Sequence, residues 1–567
     1  MGTIIERKAN RMARTVAIGV QDFETLVQNN CFYIDKTEFI KDWWDSKDQV
    51  TLITRPRRFG KTLNMNMVER FFSNKYQGQG KIFEHLNIWK EEKYRKLQGT
   101  YPVLFLSFAG VKSDNYQDAK KQIFQIIENI YIENTSVIHS EILEENEKKY
   151  CSRIGKDMDT SDAVIALQRM CGYLYRYYGK KVIILMDEYD TPLQEAYVNG
   201  YWKELVAFTR NLFNNTFKTN PYLERAIMTG ITRVSKESKF SDLNNLKVIT
   251  MTSDKYASYF GFTESEVFAA MDEFGLTNKE EVKSWYDGFT IGNLTDIYNP
   301  WSIISFLDEK KLKSYWANTS SNGLASSLIQ TGNIDVKIHF EDLLRGHSIY
   351  SEIDEEIVFD QLDNNDENAV WSLLFASGYL KVLAIQDDIY ELDLTNYEVH
   401  RMFESLVSGW FRKDRTHYNR FIKSLLSADI EAMNEYMNRF ALNTISYFDV
   451  GGTESDRIEP ERFYHGFVLG LLVDLKGRYK ISSNQESGFG RYDVMLIPLN
   501  ETDDAIILEF KVYNPKKEQS MEETVQNALQ QIADKKYEQT LLDQGIEKER
   551  IRKYGFTFRG KEVLIGE

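Results

Sequence analysis

The sequence predicts an α/β protein in three parts: a parallel sheet with helices on both faces, a mostly helical middle region, and a smaller α/β domain. Three changes of pattern predict it. Between about residues 50 and 234 the apolar runs VTLIT (50–54), PVLFLSF (102–108), KVIILM (181–186) and RAIMTGI (225–231) alternate with helical stretches. Continuous apolar strands separated by helices are the pattern of a parallel sheet buried on both faces. After about residue 260, TESEVFAAMDEFG and TNKEEVKSWYDGF are amphipathic and helical, and the turn-rich NLTDIYNPWS, WSLLFASGYLKV and MFESLVSGWF follow. Past Pro460 a helix (ERFYHGFVLGLLVDL) gives way to strands again. A chain of 567 residues exceeds what one hydrophobic core usually spans. The boundaries fall at 1–260, 261–455 and 456–567.

Composition excludes several classes. The net charge of −15 argues against a broadly basic nucleic-acid coat and leaves room for a local basic groove. Three cysteines, Cys31, Cys151 and Cys171, lie far apart without C-x-x-C spacing, so neither a disulfide framework nor a cysteine zinc site is indicated, and a reducing cytoplasm is expected. The N-terminal stretch has positive charge without a continuous apolar core, and nowhere do eighteen apolar residues run together; neither export nor a membrane is expected.

The first domain carries TLITRPRRFGKTLNMNM (51–67). A glycine-led phosphate loop would read G-x-x-x-x-G-K-[ST], but Arg55 stands at the first glycine. Position still favours phosphate: a strand precedes Gly60 and a helix follows Thr62, so backbone N–H groups and the helix N-terminus converge on one spot. Lys61 would reach the β- and γ-phosphates, the Thr62 hydroxyl would hold Mg²⁺, and Arg55, Arg57 and Arg58 make the loop basic. A basic surface turn before an ordinary helix is the alternative. The strand VIILMDEYD then delivers Asp187 to the sheet edge, where it can hold the Mg²⁺ shell, and Glu188 could act as general base. Together these make the first domain a P-loop NTPase sheet that binds ATP. The neighbouring run AIMTGITR offers Thr229 and Arg233 as candidate phosphate sensors.

Near the other end, GRYDVMLIPLNETDDAIILEFKV (490–512) has two apolar runs about the turn-like NETDD, a β-hairpin pattern. If residues 500–504 form the loop and Leu499 faces Ala505, Asp493 lies opposite Lys511 with Glu509 diagonal to it. All three share one face, which a two-residue slip of register would preserve and a one-residue slip destroy. Two carboxylates and an ammonium so arranged suit metal-assisted hydrolysis: Asp493 and Glu509 would bind Mg²⁺ or Mn²⁺, and Lys511 would orient the nucleophile or neutralise developing charge. A solvated strand face on which Glu and Lys alternate with apolar residues is the plainer reading of E-x-K alone.

At this point the chain resembles the bacterial AAA-ATPase-like proteins that carry a C-terminal PD-(D/E)XK nuclease-like domain. The resemblance rests on NNCFYIDKTEFI, RPRRFGKT, ILMDEYDTPL, GITRVSKESKFSDLNNL, WYDGF, YNPWSI, FYHGFVLGLL, ESGFGRYDVML and LEFKV, in order over nearly the whole chain. In that family Arg-Pro-Arg-Arg-Phe-Gly-Lys-Thr replaces the glycine-led loop, so Arg55 is the family form. The resemblance implies a restriction-endonuclease-like C-terminal α/β domain whose metal is held by Asp493, Glu509 and the Phe510 carbonyl. Glu461 and His465, one turn apart on a helix, resemble an extra acidic or histidine ligand, although a cap and a half-buried histidine account for them equally. Gln531 resembles the glutamine that follows the core motif, and Glu486 is an alternative acidic group. The motif's Pro-Asp appears here as Tyr492-Asp493. YIDKT and WYDGF close over the nucleotide or serve packing.

The sequence therefore reads as a cytoplasmic ATPase fused to a Mg²⁺- or Mn²⁺-dependent nuclease, with ATP controlling nucleic-acid access or cleavage. DNA is expected ahead of RNA, with KERIRKYGFTFRGK, Arg491, Lys516 and Lys517 as phosphate contacts, although a solvated face of a last helix and strand explains those charges just as simply; a homo-oligomer is compatible with the sequence. The rival readings are a nucleotide-switched binding or regulatory protein with an inactive nuclease fold, and a degenerate ATPase scaffold that recognises a partner protein.

Overall fold

The computed structural model describes residues 14–233, 244–316, 323–331, 334–344, 346–355, 362, 366–412, 415–444, 475, 478–483, 486–487, 490–491, 493–500, 502–515, 517–559 and 562–567. Two compact units divide the chain: 1–325 with 348–400, and 326–347 with 401–567. Glu461, His465, Tyr492 and Lys516 lie outside the described residues, as do the side chains of Glu486 and Arg491.

The first unit is built on strands β1 (Val50–Thr54), β2 (Val103–Ser107), β3 (Val182–Asp187), β4 (Leu223–Gly230) and β5 (Leu246–Ile249), in the order β2-β3-β4-β1-β5. Every pairing is parallel. The four runs expected from the sequence are β1 to β4. β1 and β3 are buried at every position, which is why they read as unbroken apolar segments rather than alternating ones. Long helices such as Tyr116–Glu133 and Thr160–Tyr178 supply the crossovers. One face packs Ile53, Leu185 and Ile227 against Trp43, Phe71 and Phe72. Because β3, β4 and β1 are neighbours running the same way, the residues just past their C-terminal ends converge on one edge.

The middle region contains more strand than its helical pattern predicts. β6 (Phe262–Thr263), β7 (Phe289–Ile291) and β8 (Leu294–Tyr298) form one small sheet; β9 (Ile349–Glu352), β10 (Leu380–Gln386) and β11 (Ile389–Leu394) form another. The β10–β11 hairpin turns on Asp387 and Asp388, both left-handed (φ +49° and +68°). Aspartate tolerates that conformation better than most residues, so the turn was encoded without the usual glycine. Gly288 in WYDGF is obligatory for a different reason: at φ +124° its missing Cβ would sit 1.9 Å from the Thr395 carbonyl oxygen.

In the second unit β12 (Tyr479–Ser483), β15 (Val494–Pro498), β16 (Ala505–Val512), β17 (Ile551–Arg559) and β18 (Glu562–Gly566) lie in that order, and β13 (Glu486–Ser487) pairs with β14 (Gly490–Arg491). β16 and β17 are parallel, with helix Met521–Asp534 between them in sequence. One face of the sheet buries Leu496, Leu508 and Phe510 against Phe421, Met433 and Met437. The helices Arg415–Ser427 and Ile430–Thr444, which sequence pattern groups with the middle region, thus share this core. The other face packs Met495 and Ile507 against Ile532, Tyr537 and Leu541. Among the described residues no helix is long and apolar enough to cross a membrane.

Candidate functional site

At the C-terminal edge of the first sheet, the loop after β1 borders a cavity of about 560 Å³ lined by Arg57, Arg58, Gly60, Lys61, Thr62 and Glu188, among others. Gly60 adopts φ +80° and caps helix Lys61–Phe72, a conformation that costs glycine little. The Lys61 ammonium donates to the carbonyl oxygens of Arg55 (2.9 Å) and Pro56 (2.8 Å), which wraps the loop around it. Burial pulls the Lys61 pKa down, against the pull of Glu188, Asp187 and Asp190. The Thr62 hydroxyl donates to Asp187 Oδ2 at 2.7 Å, and Thr229 donates to Oδ1 of the same carboxylate. Burial raises the Asp187 pKa while both hydroxyls oppose the rise. Thr229 is itself wholly buried. Arg233 lies half-buried past β4 and, unlike Gly230 and Ile231, does not line the cavity.

The three loop arginines divide. Arg55 points into the core: fully buried, its guanidinium donates to the carbonyls of Thr54 (2.8 Å) and Thr250 (2.7 Å), and burial pulls its pKa down to about 9. It tethers the base of the loop to the end of β5 and adds nothing to the basic surface expected of it. Arg57 donates to Gln194 Oε1 at 3.2 Å, and Gln194 donates in turn to Asp190. Asp190, the last residue of MDEYD, also accepts from the backbone N–H groups of Ile231 and Thr232, locking the end of β4. Arg58 is exposed, with its guanidinium carbon 4.2 Å from the centre of the Trp301 ring. Glu188 has left-handed backbone (φ +51°) and accepts from the Thr191 hydroxyl.

The motifs without assigned chemistry surround this loop. In YNPWS, Asn299 caps helix Pro300–Glu309 through Trp301 N–H and donates to the Arg57 carbonyl at 3.2 Å. In WYDGF, Phe289 packs on Phe59 of the loop with ring centres 4.8 Å apart. Lys36 of YIDKT lines the cavity and pairs with Glu266, while Asp35 holds Thr37 and the Asn87 N–H. Asp287 joins Glu264 and Asp296 in a cluster whose oxygens lie within 4.8 Å of one another. The Lys283 ammonium sits among them, 2.8 Å from Asp296 and 3.4 Å from Asp287, and also bonds Glu264, so one cation is shared by three carboxylates. Burial, then Asp296, raises the Asp287 pKa to about 6. Asparagine before proline signals a helix start in sequence, but contact with the loop needs the fold.

In the second unit Val494 faces Leu508, Met495 faces Ile507 and Leu496 faces Ile506. This register is two residues removed from the one expected and aligns Asp493 with Glu509 instead of Lys511. Beyond Leu496 the β15 strand stays paired only on its other side, where Leu499 N–H donates to the Arg478 carbonyl and continues the β12 ladder. The shared face survives the slip. Asp493 Oδ2 accepts the Phe510 N–H at 2.8 Å, Glu509 is 2 % exposed, and the Lys511 ammonium is 3.9 Å from Glu509 Oε1. Gln531 donates its side-chain amide to Glu509 Oε1 and to the Tyr537 hydroxyl (3.1 Å). Burial raises the Tyr537 pKa, with Glu509 and Asp493 adding to the rise and the Gln531 hydrogen bond opposing it. Tyr537 is the residue at this centre that sequence reasoning missed; ALQQIADKKY gives no spacing that marks it. Two carboxylates, one just before β15 and one in β16, beside a strand carbonyl, form an oxygen donor set that fits a hard divalent cation.

Residues 17–240 match the family model described as predicted AAA-ATPase, and residues 459–567 match that of the PD-(D/E)XK nuclease superfamily. A relative from Azotobacter chroococcum mcd 1, named "Uncharacterized protein in vnfD 5'region", is 25 % identical over 395 residues, which is 68 % of each chain. Among solved structures, "Structure of Drosophila ORC bound to AT-rich DNA and Cdc6" covers 67 % of this chain and 92 % of its own at 8 % identity. Its TM-score of 0.16 implies no shared geometry.

Proposed function

For a chain that joins an AAA-ATPase-like domain to a C-terminal PD-(D/E)XK nuclease-superfamily domain, we propose ATP binding and hydrolysis at the loop cavity and phosphodiester cleavage at the Asp493–Glu509 face, with ATP controlling nucleic-acid access or cleavage. The observation that carries the reading is the Thr62 hydroxyl on Asp187 at 2.7 Å, beside a cavity that Lys61 also lines. That pair joins the loop to the β3 strand end, the two places from which a nucleotide-bound Mg²⁺ is held. Lys61 binds the β- and γ-phosphates once it leaves the loop carbonyls, Thr62 and Asp187 orient the metal's shell, and Glu188 takes the proton of the attacking water.

At the second centre Asp493, Glu509 and the Phe510 carbonyl would hold the divalent cation, with His465 a further candidate. Such a cation, when bound, lowers the pKa of water and polarises the phosphodiester. Lys511 orients the nucleophile or neutralises charge on the reacting phosphate. Gln531, fixed by Tyr537, sets the Glu509 carboxylate. A nucleotide-switched binding protein without cleavage is the second reading, favoured by the engagement of Glu509 Oε1 with both the Gln531 amide and Lys511.

The test is cleavage of single- and double-stranded DNA and RNA in Mn²⁺ or Mg²⁺, with and without ATP. Loss of one group acting on transition-state charge commonly costs about 3–4 kcal/mol, a hundredfold or more in rate. K61A is therefore expected to remove ATP turnover, and D493A or K511A to remove cleavage, most readily of DNA. Intact substrates throughout, with ATP still consumed by the parent protein, would select the second reading.

A further inference from the structure

Of the four cations in the phosphate loop, three are committed within the protein. Arg55 is buried on carbonyl oxygens, Arg57 is tethered to Gln194, and the Lys61 ammonium is held by two loop carbonyls. Arg58 is exposed, and among the described residues it makes no hydrogen bond or ion pair; its one specific contact is the Trp301 ring. Both residues line the cavity.

The loop around Arg58 is pinned on both sides. Asn299 holds the preceding carbonyl, and Phe59 is buried against Phe289 next to Gly261, where any Cβ would strike the Phe59 ring at 3.0 Å. Arg58 itself is left-handed (φ +66°), a conformation that disfavours a side chain and persists only where its surroundings enforce it. Asn299 both grips the loop and caps the helix that carries Trp301, so ring and guanidinium are set by one residue. A guanidinium held over a ring by cation–π attraction spends none of its N–H donors on that contact, which leaves them for phosphate oxygens.

We infer that Arg58 contacts the terminal phosphate of the bound nucleotide from within its own loop, and that Trp301 is its positioning residue. The inference rests on the ATP-hydrolysis reading and deepens it. In hydrolysis the water oxygen bonds to the γ-phosphorus as the bond to the β–γ bridging oxygen breaks; ADP leaves with that electron pair, and the water proton passes to Glu188. Arg58 makes and breaks no covalent bond. It neutralises charge spread over the γ-oxygens, as an arginine supplied from outside does in other nucleotide hydrolases.

The experiment compares full-length wild type, R58A, R58K, W301A and W301F for ATP turnover, and for ADP and ATP binding by calorimetry. R58A is expected to lower kcat by about a hundredfold or more, with ADP affinity within about threefold of wild type. W301A should lower kcat by about three- to tenfold, the size of a lost cation–π contact, with W301F recovering most of it. R58K, which keeps charge but not the planar fork, should not recover turnover. Wild-type kcat in R58A, or a W301A variant that loses ADP affinity in step with kcat, overturns the inference and leaves the ATPase reading standing. A wild-type protein that binds neither nucleotide overturns both.

Discussion

Arg55 shows how a residue can belong to a basic loop and contribute nothing to its surface. Sequence counted it among the charges of a basic loop; the fold turns it inward onto the carbonyls of Thr54 and Thr250, with Glu355 near enough to favour its charge. Side-chain direction at a strand end depends on which neighbours flank the strand, and β5 entered the sheet without an apolar run long enough to announce it. Removing the guanidinium takes a donor from the buried Thr54 and Thr250 carbonyls and leaves a cavity in the core, and each buried polar group left unsatisfied costs about 1–3 kcal/mol. Arg55→Gly restores the glycine-led spacing of an ordinary phosphate loop, yet it is expected to lower the thermal unfolding temperature sharply without tightening ATP. Thermal melts with and without ATP check this; an R55G protein of unchanged stability would mean the carbonyl tether is dispensable.

Among the elements, the hairpin of β15 and β16 was legible because period-two alternation fixes which residues share a face, and the actual register slipped by two. Asp493, Glu509 and Lys511 therefore stayed together, although the partner of each changed. The buried parallel strands were equally legible, their apolar runs being uninterrupted. The edge of the second sheet was not, because its protection comes from a helix far off in sequence. Asn434 and Asn438, one turn apart on Ile430–Thr444, bond the backbone of Ile565 and Val563 in β18, each side chain both accepting an N–H and donating to a C=O. The two amides stand in for a further strand and cover groups that would otherwise template association. Each lost pair of hydrogen bonds costs on the order of 1–3 kcal/mol, so N434A/N438A is expected to melt earlier and to associate at concentrations where the parent protein does not. Light scattering alongside thermal unfolding tests both; a double variant that melts normally would assign β18 some other cover.

On the scale of the whole molecule, the chain carries two sets of candidate oxygen ligands in separate compact units, Thr62 with Asp187 and Asp493 with Glu509. Control of one centre by the other is then a coupling free energy, and linkage makes it reciprocal: if ATP changes the affinity for nucleic acid by some factor, nucleic acid changes the affinity for ATP by the same factor. Turnover obscures this, because reciprocity holds for binding and not for rates. E188Q/D493A is expected to suppress both reactions while leaving Lys61, Thr62 and Lys511 to bind. In that protein, calorimetric titration of ATP with and without a DNA duplex, and of the duplex with and without ATP, should return equal factors, about 5- to 150-fold for the 1–3 kcal/mol typical of coupled sites. A factor of one in both directions would leave two independent enzymes on a single chain, and control of cleavage by ATP would have to be abandoned.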